Sequence, residues 1–464
     1  MIRNFSFFAG LLVILYALYQ FSELDIVFLG LTGFIILFVC SVNLVQALGL
    51  LLFAIAVSPE IQAGGIPIRI EDLILPVILF FWVLNLGIKR GRLKPTNMKF
   101  PLIAFLFFML ISTVNAIIVN PNLNQLFAIF HFLKHVEYIL IFLIAFNVVE
   151  TTEDLQFLAY CLIGAASVLA LHASIPLLSV VESAGSEAPQ RLHGVATETA
   201  NIFGGYLVFH ILFAAGFLLE EDSSVLQIGL ITGIVFMIYA LLFTFSRSSY
   251  VGFVMGFLFL GLFYKPQILL GGGLVTLSLL TVIPTQVVER FSSIFVVVAN
   301  AEMASSWSAR LDAWIQYLPV IVKNPFIGKG LFFIAPGQVD NELVLRLVQT
   351  GFFGVLAFIW VLLSFASRAS VLGESDTKIF RKIGIGYLTG LVGLAFHSLA
   401  ATSFTTIRTA EPLYFASGLV VASYLLYLNI GAQHSSIELK RKEEQNELRR
   451  KTHYSRPLET SAEA

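Results

Sequence analysis

Residues 310–354 read RLDAWIQYLPVIVKNPFIGKGLFFIAPGQVDNELVLRLVQTGFFG. Arg310 opens an aromatic helical stretch. A turn marked by Pro325, Gly328 and Gly330 follows, then the polar pair Asp340-Asn341, then a new apolar run. Glycine and proline at such spacing punctuate the chain. This order places a polar site at a membrane surface, between hydrophobic spans. It predicts an all-α fold, a polytopic transmembrane helical bundle with a long loop outside the bilayer.

Composition agrees. Hydrophobic residues make up 58% and charged residues 12% of 464 residues, with a mean hydropathy of +0.88. A soluble domain carries about 25% charged residues. Apolar runs of about 18–20 residues recur, each long enough to cross a hydrocarbon core of about 30 Å. They lack the strict alternation of a membrane β-barrel. The net charge of −1 gives no sign of nucleic acid as a partner. Cys40 and Cys161 both lie inside apolar runs, without metal-ligand or disulfide spacing. The N-terminal run, preceded by Arg3 and ending near Phe21, has no small-residue cleavage site and reads as a retained first helix.

Up to fourteen spans are expected, at 5–21, 25–40, 42–58, 72–88, 100–119, 127–149, 155–178, 201–219, 224–245, 248–264, 267–284, 341–366, 383–400 and 411–430. Twelve or thirteen is the alternative, because hydropathy boundaries are soft. The membrane domain is then 1–431, followed by a charged tail at 432–464. Fourteen alternating spans put eighteen Lys and Arg residues on one side, in the segment 89–99, the segment 367–382, the tail, Arg3 and Lys265. Eight fall on the other side. The positive-inside rule makes the basic side cytoplasmic and both termini internal. The loop 285–340 is then extracytoplasmic, and its stretch 307–322 suits a helix lying in the interface.

Four arginines fall on the outer side: Arg191 in QRLHGVATETANIFGGYL, Arg247 in TFSRSSYVGF, Arg310, and Arg408 in TTIRTAEPLYF beside Glu411. A guanidinium stays charged and grips phosphate oxygens with a planar fork. A convergent set suits a diphosphate. Singly, each also reads as an interfacial anchor or as the partner of Asp312, Glu198 or Glu411. Ser246, Ser248 and Ser249 could donate to the same anion, and capping of the next helix explains Ser248 or Ser249 as well. Asp340 and Asn341 read as a helix cap or, for the carboxylate, as a general base. His193 could join an anion site. His131 and His135 are four apart but lack the Glu of a zincin motif, and read as a buried polar patch. His397 lies near the outer end of its span. No nucleotide-binding motif occurs, so energy must come with the substrate or from a gradient.

Four segments together resemble the O-antigen ligase/polymerase family of bacterial cell-envelope proteins. PEIQAGGIPIRIEDLILP looks like the start of that family's fourth span, and RLHGVATETANIFGGYL like its Arg-x-x-Gly segment. TFSRSSYVGF looks like its Ser-Arg turn, and the last segment runs from RLDAWIQYLPVIVKNPFIGKG to DNELVLRLVQTGFFG. The resemblance spans roughly 55–425. It implies a multi-pass glycosyltransferase of the cytoplasmic (inner) membrane. Such an enzyme takes a glycan from undecaprenyl diphosphate and moves it to a hydroxyl, without metal or cofactor. The acceptor is lipid A-core in ligases and another repeat unit in polymerases of O-antigen or exopolysaccharide. By the same resemblance Arg191, Arg247 and Arg310 would hold the diphosphate, with Arg408, Glu411, His193 and Asn341 as further substrate contacts. The ligases' catalytic His is matched here by Asp340, which leans the expectation towards a polymerase. A base opposite the leaving group gives inversion in one step, with no second carboxylate as nucleophile. Other polysaccharide-assembly proteins are candidate partners, and nucleic acid is not. Two further classes compete. A lipid-linked glycan flippase should show a midplane cavity between repeated halves, and a scaffold has no use for four outer arginines.

Overall fold

The computed structural model describes residues 37–58, 61–63, 66–88, 92–119, 124–180, 191–194, 199–269, 285–292, 301–331, 333 and 339–454. In chain order, α1 is Leu44–Val57, β1 Ile61–Ala63, β2 Ile66–Ile68, α2 Ile70–Ile88, α3 Lys99–Val119 and α4 Gln125–Val148. Next come α5 Thr152–Val180, α6 Ala200–Leu219, α7 Ser224–Phe243 and α8 Arg247–Phe263. The loop helices are α9 Thr285–Ser292 and α10 Ala301–Lys323. Then follow α11 Glu342–Gly373, α12 Lys378–His397, a 3₁₀ turn Ser398–Ala400 and α13 Ile407–Tyr454.

Among the described residues nine helices are long and apolar enough to cross a membrane, and α1 and α8 are shorter apolar helices. A helix satisfies every backbone group within itself, which hydrocarbon demands. Every expected span that falls wholly on described residues is found as a helix. The expected span 5–21 and nearly all of 25–40 and 267–284 lie outside them. Asn43 explains the break before α1, where its side chain caps Val45 N at 2.9 Å and Gln46 N at 3.3 Å. Among the described residues the one pair of strands is the small antiparallel pair of β1 and β2, which pairs Ile61 with Ile68. Three-residue strands are too short to show an alternating pattern in sequence.

The centre of the bundle is α12, packed against α6, α8 and α11, with α4 against α13 beside it. Small residues permit this. A Cβ on Gly216 of α6 would sit 2.5 Å from the Gly386 Cα of α12, so only glycine allows that crossing. The last helix passes through residue 431 without a break. Its 48 residues rise about 70 Å at ~1.5 Å each, far beyond a bilayer core.

The helix ends sort into two sets. One end is tied by ion pairs to the segment between α6 and α7: Arg381 to Glu220 at 2.6 Å, Lys382 to Glu221 at 2.7 Å, Lys265 to Glu220 at 3.6 Å, and Lys378 to Asp222. Burial works against ionisation of Glu221, yet the Lys382 ammonium, the Tyr160 hydroxyl and the Ser223 N–H hold its carboxyl down to about 2. Lys94 bonds to Asn147 and the end of α4 on this side too. These are the segments expected in the cytoplasm, and they are called here the basic end. The segments expected outside meet at the other end.

Orientation is checked by single cysteines at Ser292, Ser305 and Ser435, after removal of the buried Cys40 and Cys161. In intact spheroplasts an impermeant thiol reagent should label positions 292 and 305 and spare 435. The reverse pattern would invert the bundle and put the arginine site in the cytoplasm.

Candidate active site

The site starts from a clamp between the loop and α11. Helix α10 packs Trp314, Tyr317, Val320 and Ile321 on Val339, Leu345 and Val348. Its other face shows Ile315, Leu318 and Val322 outward, as an interfacial helix should. The turn after it bonds backbone to backbone with α11: Lys329 N to Val348 O, Gly330 N to Gln349 O and Phe352 N to Pro325 O, all 2.8 Å. Helix α11 is broken there to expose those groups. Gly351 sits at φ 66°, and a Cβ on it would lie 2.4 Å from the Phe326 carbonyl carbon. The left-handed φ and the close approach together require glycine. This clamp fixes where the loop ends at Asp340.

At that end the Arg310 Nε faces the Asp340 Oδ2 at 3.4 Å, both side chains partly exposed. The cap of α11 is Asn341, which accepts from Val344 N at 3.1 Å. Asp340 precedes the cap position, so the capping explanation for this carboxylate fails and belongs to Asn341 alone. The Asn341 amide also donates to Leu399 O at 2.9 Å, tying the loop end to the 3₁₀ turn.

A second group approaches the same turn from α6 and α8. Asn201 donates to Ala400 O at 3.3 Å, and its Oδ1 accepts from Ser246 and Ser248 at 2.7 and 2.6 Å. Ser249 donates to Ser246 at 2.7 Å. The serines are therefore engaged with Asn201 and with one another rather than standing open for an anion. Ser246 is the N-cap of α8, not Ser248 or Ser249, because Arg247 is already the first helical residue. Phe245 before it holds φ 48°, a strained value for a bulky residue that the tight turn imposes. Arg191 donates from Nε to Thr244 O at 3.0 Å, and Leu192 N bonds to Phe243 O. Arg191 and Arg247 thus share one turn, with His193 exposed two residues on. Through Asn201 and Asn341, the Arg191/Arg247 turn and the loop end that carries the Arg310–Asp340 pair are both bonded to the Ser398–Ala400 turn. His397, next to that turn, is buried with Nδ1 2.6 Å from Ser403 Oγ.

Arg408 and Glu411 do not join this set. Arg408 is 1% exposed and donates to the carbonyls of Ile55, Ala56 and Ser58, the last at 3.0 Å. These carbonyls end α1, where a cation offsets the helix dipole. Glu411 is fully buried, with Asp72 and Glu137 carboxylate oxygens within 4.8 Å of its own. Lys134 pairs with Glu137 at 2.9 Å and with Asp72, and Arg69 with Glu71 at 2.8 Å. Three carboxylates could in principle hold a metal ion, but the Lys134 ammonium bonds to two of them and fills that place from within the chain. The expected outward role fails for a general reason. A charge near the start of a span can turn inward to partners on neighbouring helices, and hydropathy does not reveal which way it turns.

Sequence reading singled out neither Asn201 nor Glu342. Glu342 is 1% exposed and accepts from Arg346 at 2.9 Å, Thr405 at 2.6 Å and Phe404 N at 3.1 Å. Arg346 continues to His135 Nε2 at 3.2 Å, whose Nδ1 lies 2.8 Å from His131 O. That bears out the buried polar-patch reading for His135; the His131 atom in this contact is its backbone carbonyl, and its side chain is half-buried. Asn201 lies inside a quoted segment, and its signal was an amide one residue into an apolar helix.

Fold and site together define a polytopic helical membrane protein in which the Arg310–Asp340 pair and the Arg191/Arg247 turn are joined, through Asn341 and Asn201, to one 3₁₀ turn. Residues 232–359 match the family model described as O-antigen ligase. That match supports assigning the chain to the O-antigen ligase/polymerase family, a group of glycan transferases. It takes in Arg247, Arg310, Asp340 and Asn341; Arg191, His193, Arg408 and Glu411 lie outside it. No curated protein matches the chain.

Proposed function

We propose that the protein polymerises lipid-linked repeat units of a surface polysaccharide on the outer face of the cytoplasmic membrane. The donor is a glycan on undecaprenyl diphosphate, and the acceptor is a sugar hydroxyl of a second unit. The observation that supports this reading is that the Arg310–Asp340 pair, through the neighbouring Asn341, and the Arg191/Arg247 turn, through Asn201, are both bonded to the Ser398–Ala400 turn. A lipid diphosphate leaves well once its developing charge is neutralised, and fixed guanidinium groups do this without reorganising. Asp340 would take the proton of the attacking hydroxyl. The new glycosidic bond forms at the anomeric carbon as the bond to the diphosphate oxygen breaks, with inversion and without metal. Undecaprenyl diphosphate leaves carrying the electron pair. Asp340, at the position where the family's ligases hold His, favours polymerase over ligase.

Glycan analysis of a deletion strain separates the two. Single repeat units on the final acceptor are the expected result. Full-length polymer left on the lipid carrier would mean that the chain is a ligase instead.

A further inference from the structure

A cavity of about 400 Å³ opens at the basic end, remote from the arginine site. It lies where α2 ends at Ile88, α4 ends at Val148, α1 begins at Leu44 and α5 begins at Thr152. Four apolar helices stop at this level, which is the headgroup depth of a bilayer. Trp82 lines it from the apolar side, as interfacial tryptophans do.

Its polar wall carries both signs of charge. Lys94 donates from Nζ to Phe146 O at 3.4 Å and to Val149 O, so it is spent on the end of α4. Burial draws its pKa down, with Glu150 and Asp154 opposing. The Asp154 Oδ2 accepts from Glu150 N at 3.1 Å and Thr151 N at 3.0 Å, and so caps α5. Arg92 and Glu150 are different. Both are exposed, both line the cavity, and neither side chain has an ion pair or hydrogen bond among the described residues. A guanidinium and a carboxylate that line one chamber without pairing offer complementary charges to a guest bearing both. Asn85 beside them adds an amide. From this level the outer face of α2 runs into the bilayer with Phe80, Val83, Leu84 and Ile88 exposed, a track for acyl chains.

We propose that this cavity binds the headgroup of a zwitterionic phospholipid, its phosphate on Arg92 and its primary amine on Glu150. The inference is independent of the transferase reading. A purely anionic head would meet Glu150 and Asp154 unfavourably. A quaternary ammonium could not donate hydrogen bonds to Glu150.

The test is lipid retention by the full chain in detergent, read by native mass spectrometry. The probes are phosphatidylethanolamine, phosphatidylcholine and phosphatidylglycerol at equal concentration. Phosphatidylethanolamine should be held about tenfold more tightly than either, since a charge-assisted hydrogen bond is worth about that factor or more. Glu150→Gln should lose that preference and Arg92→Gln should weaken retention of all three lipids, each variant melting like the parent because both side chains are exposed. Equal retention of the three lipids, or unchanged preference in Glu150→Gln, would overturn the proposal. Free phosphoethanolamine should compete poorly; displacement of the lipid at equal concentration would reassign the cavity to a soluble zwitterion.

Discussion

Asp340→Asn should abolish polymer formation as completely as Asp340→Ala, at unchanged membrane abundance. A positioned general base contributes about 10²- to 10⁴-fold, and an amide cannot accept the proton. The structure sharpens this test. Because Asn341 caps α11, neither substitution at 340 removes a cap. A difference in activity therefore cannot be traced to lost helix stability. Asn341→Ala is the matching control: it loses the cap and the bond to Leu399, at a cost of about 1 kcal/mol for the cap. It should lower stability more than any Asp340 variant. Asp340→His offers a gain-of-reading probe, since the resembling ligases hold His there, and partial activity would support a base at this point. Full polymer output from Asp340→Asn would strip the carboxylate of its catalytic role and leave it as a tether for Arg310. His397, beside the shared turn, would then be the next candidate.

Replacing Arg310 or Arg247 by Lys should cut polymer output about a hundredfold, the scale on which a preorganised charge acts in a transition state. Lysine keeps the charge but not the fork. At Arg310 the Nε faces Asp340, so the two terminal nitrogens are the ones offered to a phosphate. Arg247 stands at the first turn of α8, where the helix N-terminus adds its own positive end. Both should bind the anion more weakly as lysines even where folding is intact. Rates of Arg310→Lys, Asp340→Asn and the double variant give the coupling between the pair. If the two act as one unit, the double variant should be little worse than either single one. Parental output from both lysine variants would reassign these arginines to interfacial anchoring.

The chain's own sequence determined the bundle. Runs such as 99–119 and 200–219 can only be helices in hydrocarbon, because nothing there but the segment itself can satisfy its backbone. Asn43, Thr199 and Ser246 mark helix starts by chemistry that acts over three residues. The loop helix and the Gly328-Gly330 turn were legible for the same local reason. The tertiary structure alone decided which polar residues meet. Arg310 and Arg408 look alike in sequence, each a lone arginine near a span. One faces a carboxylate at the surface thirty residues away, and the other is buried against the end of α1, more than three hundred residues back. Asp340 and Asn341 are neighbours of similar shape, yet one caps and the other faces Arg310. The rotation of each helix about its axis makes these choices. That rotation is set by glycine contacts such as Gly216 on Gly386 and by the break at Gly351. Such long-range packing leaves no trace in local hydropathy.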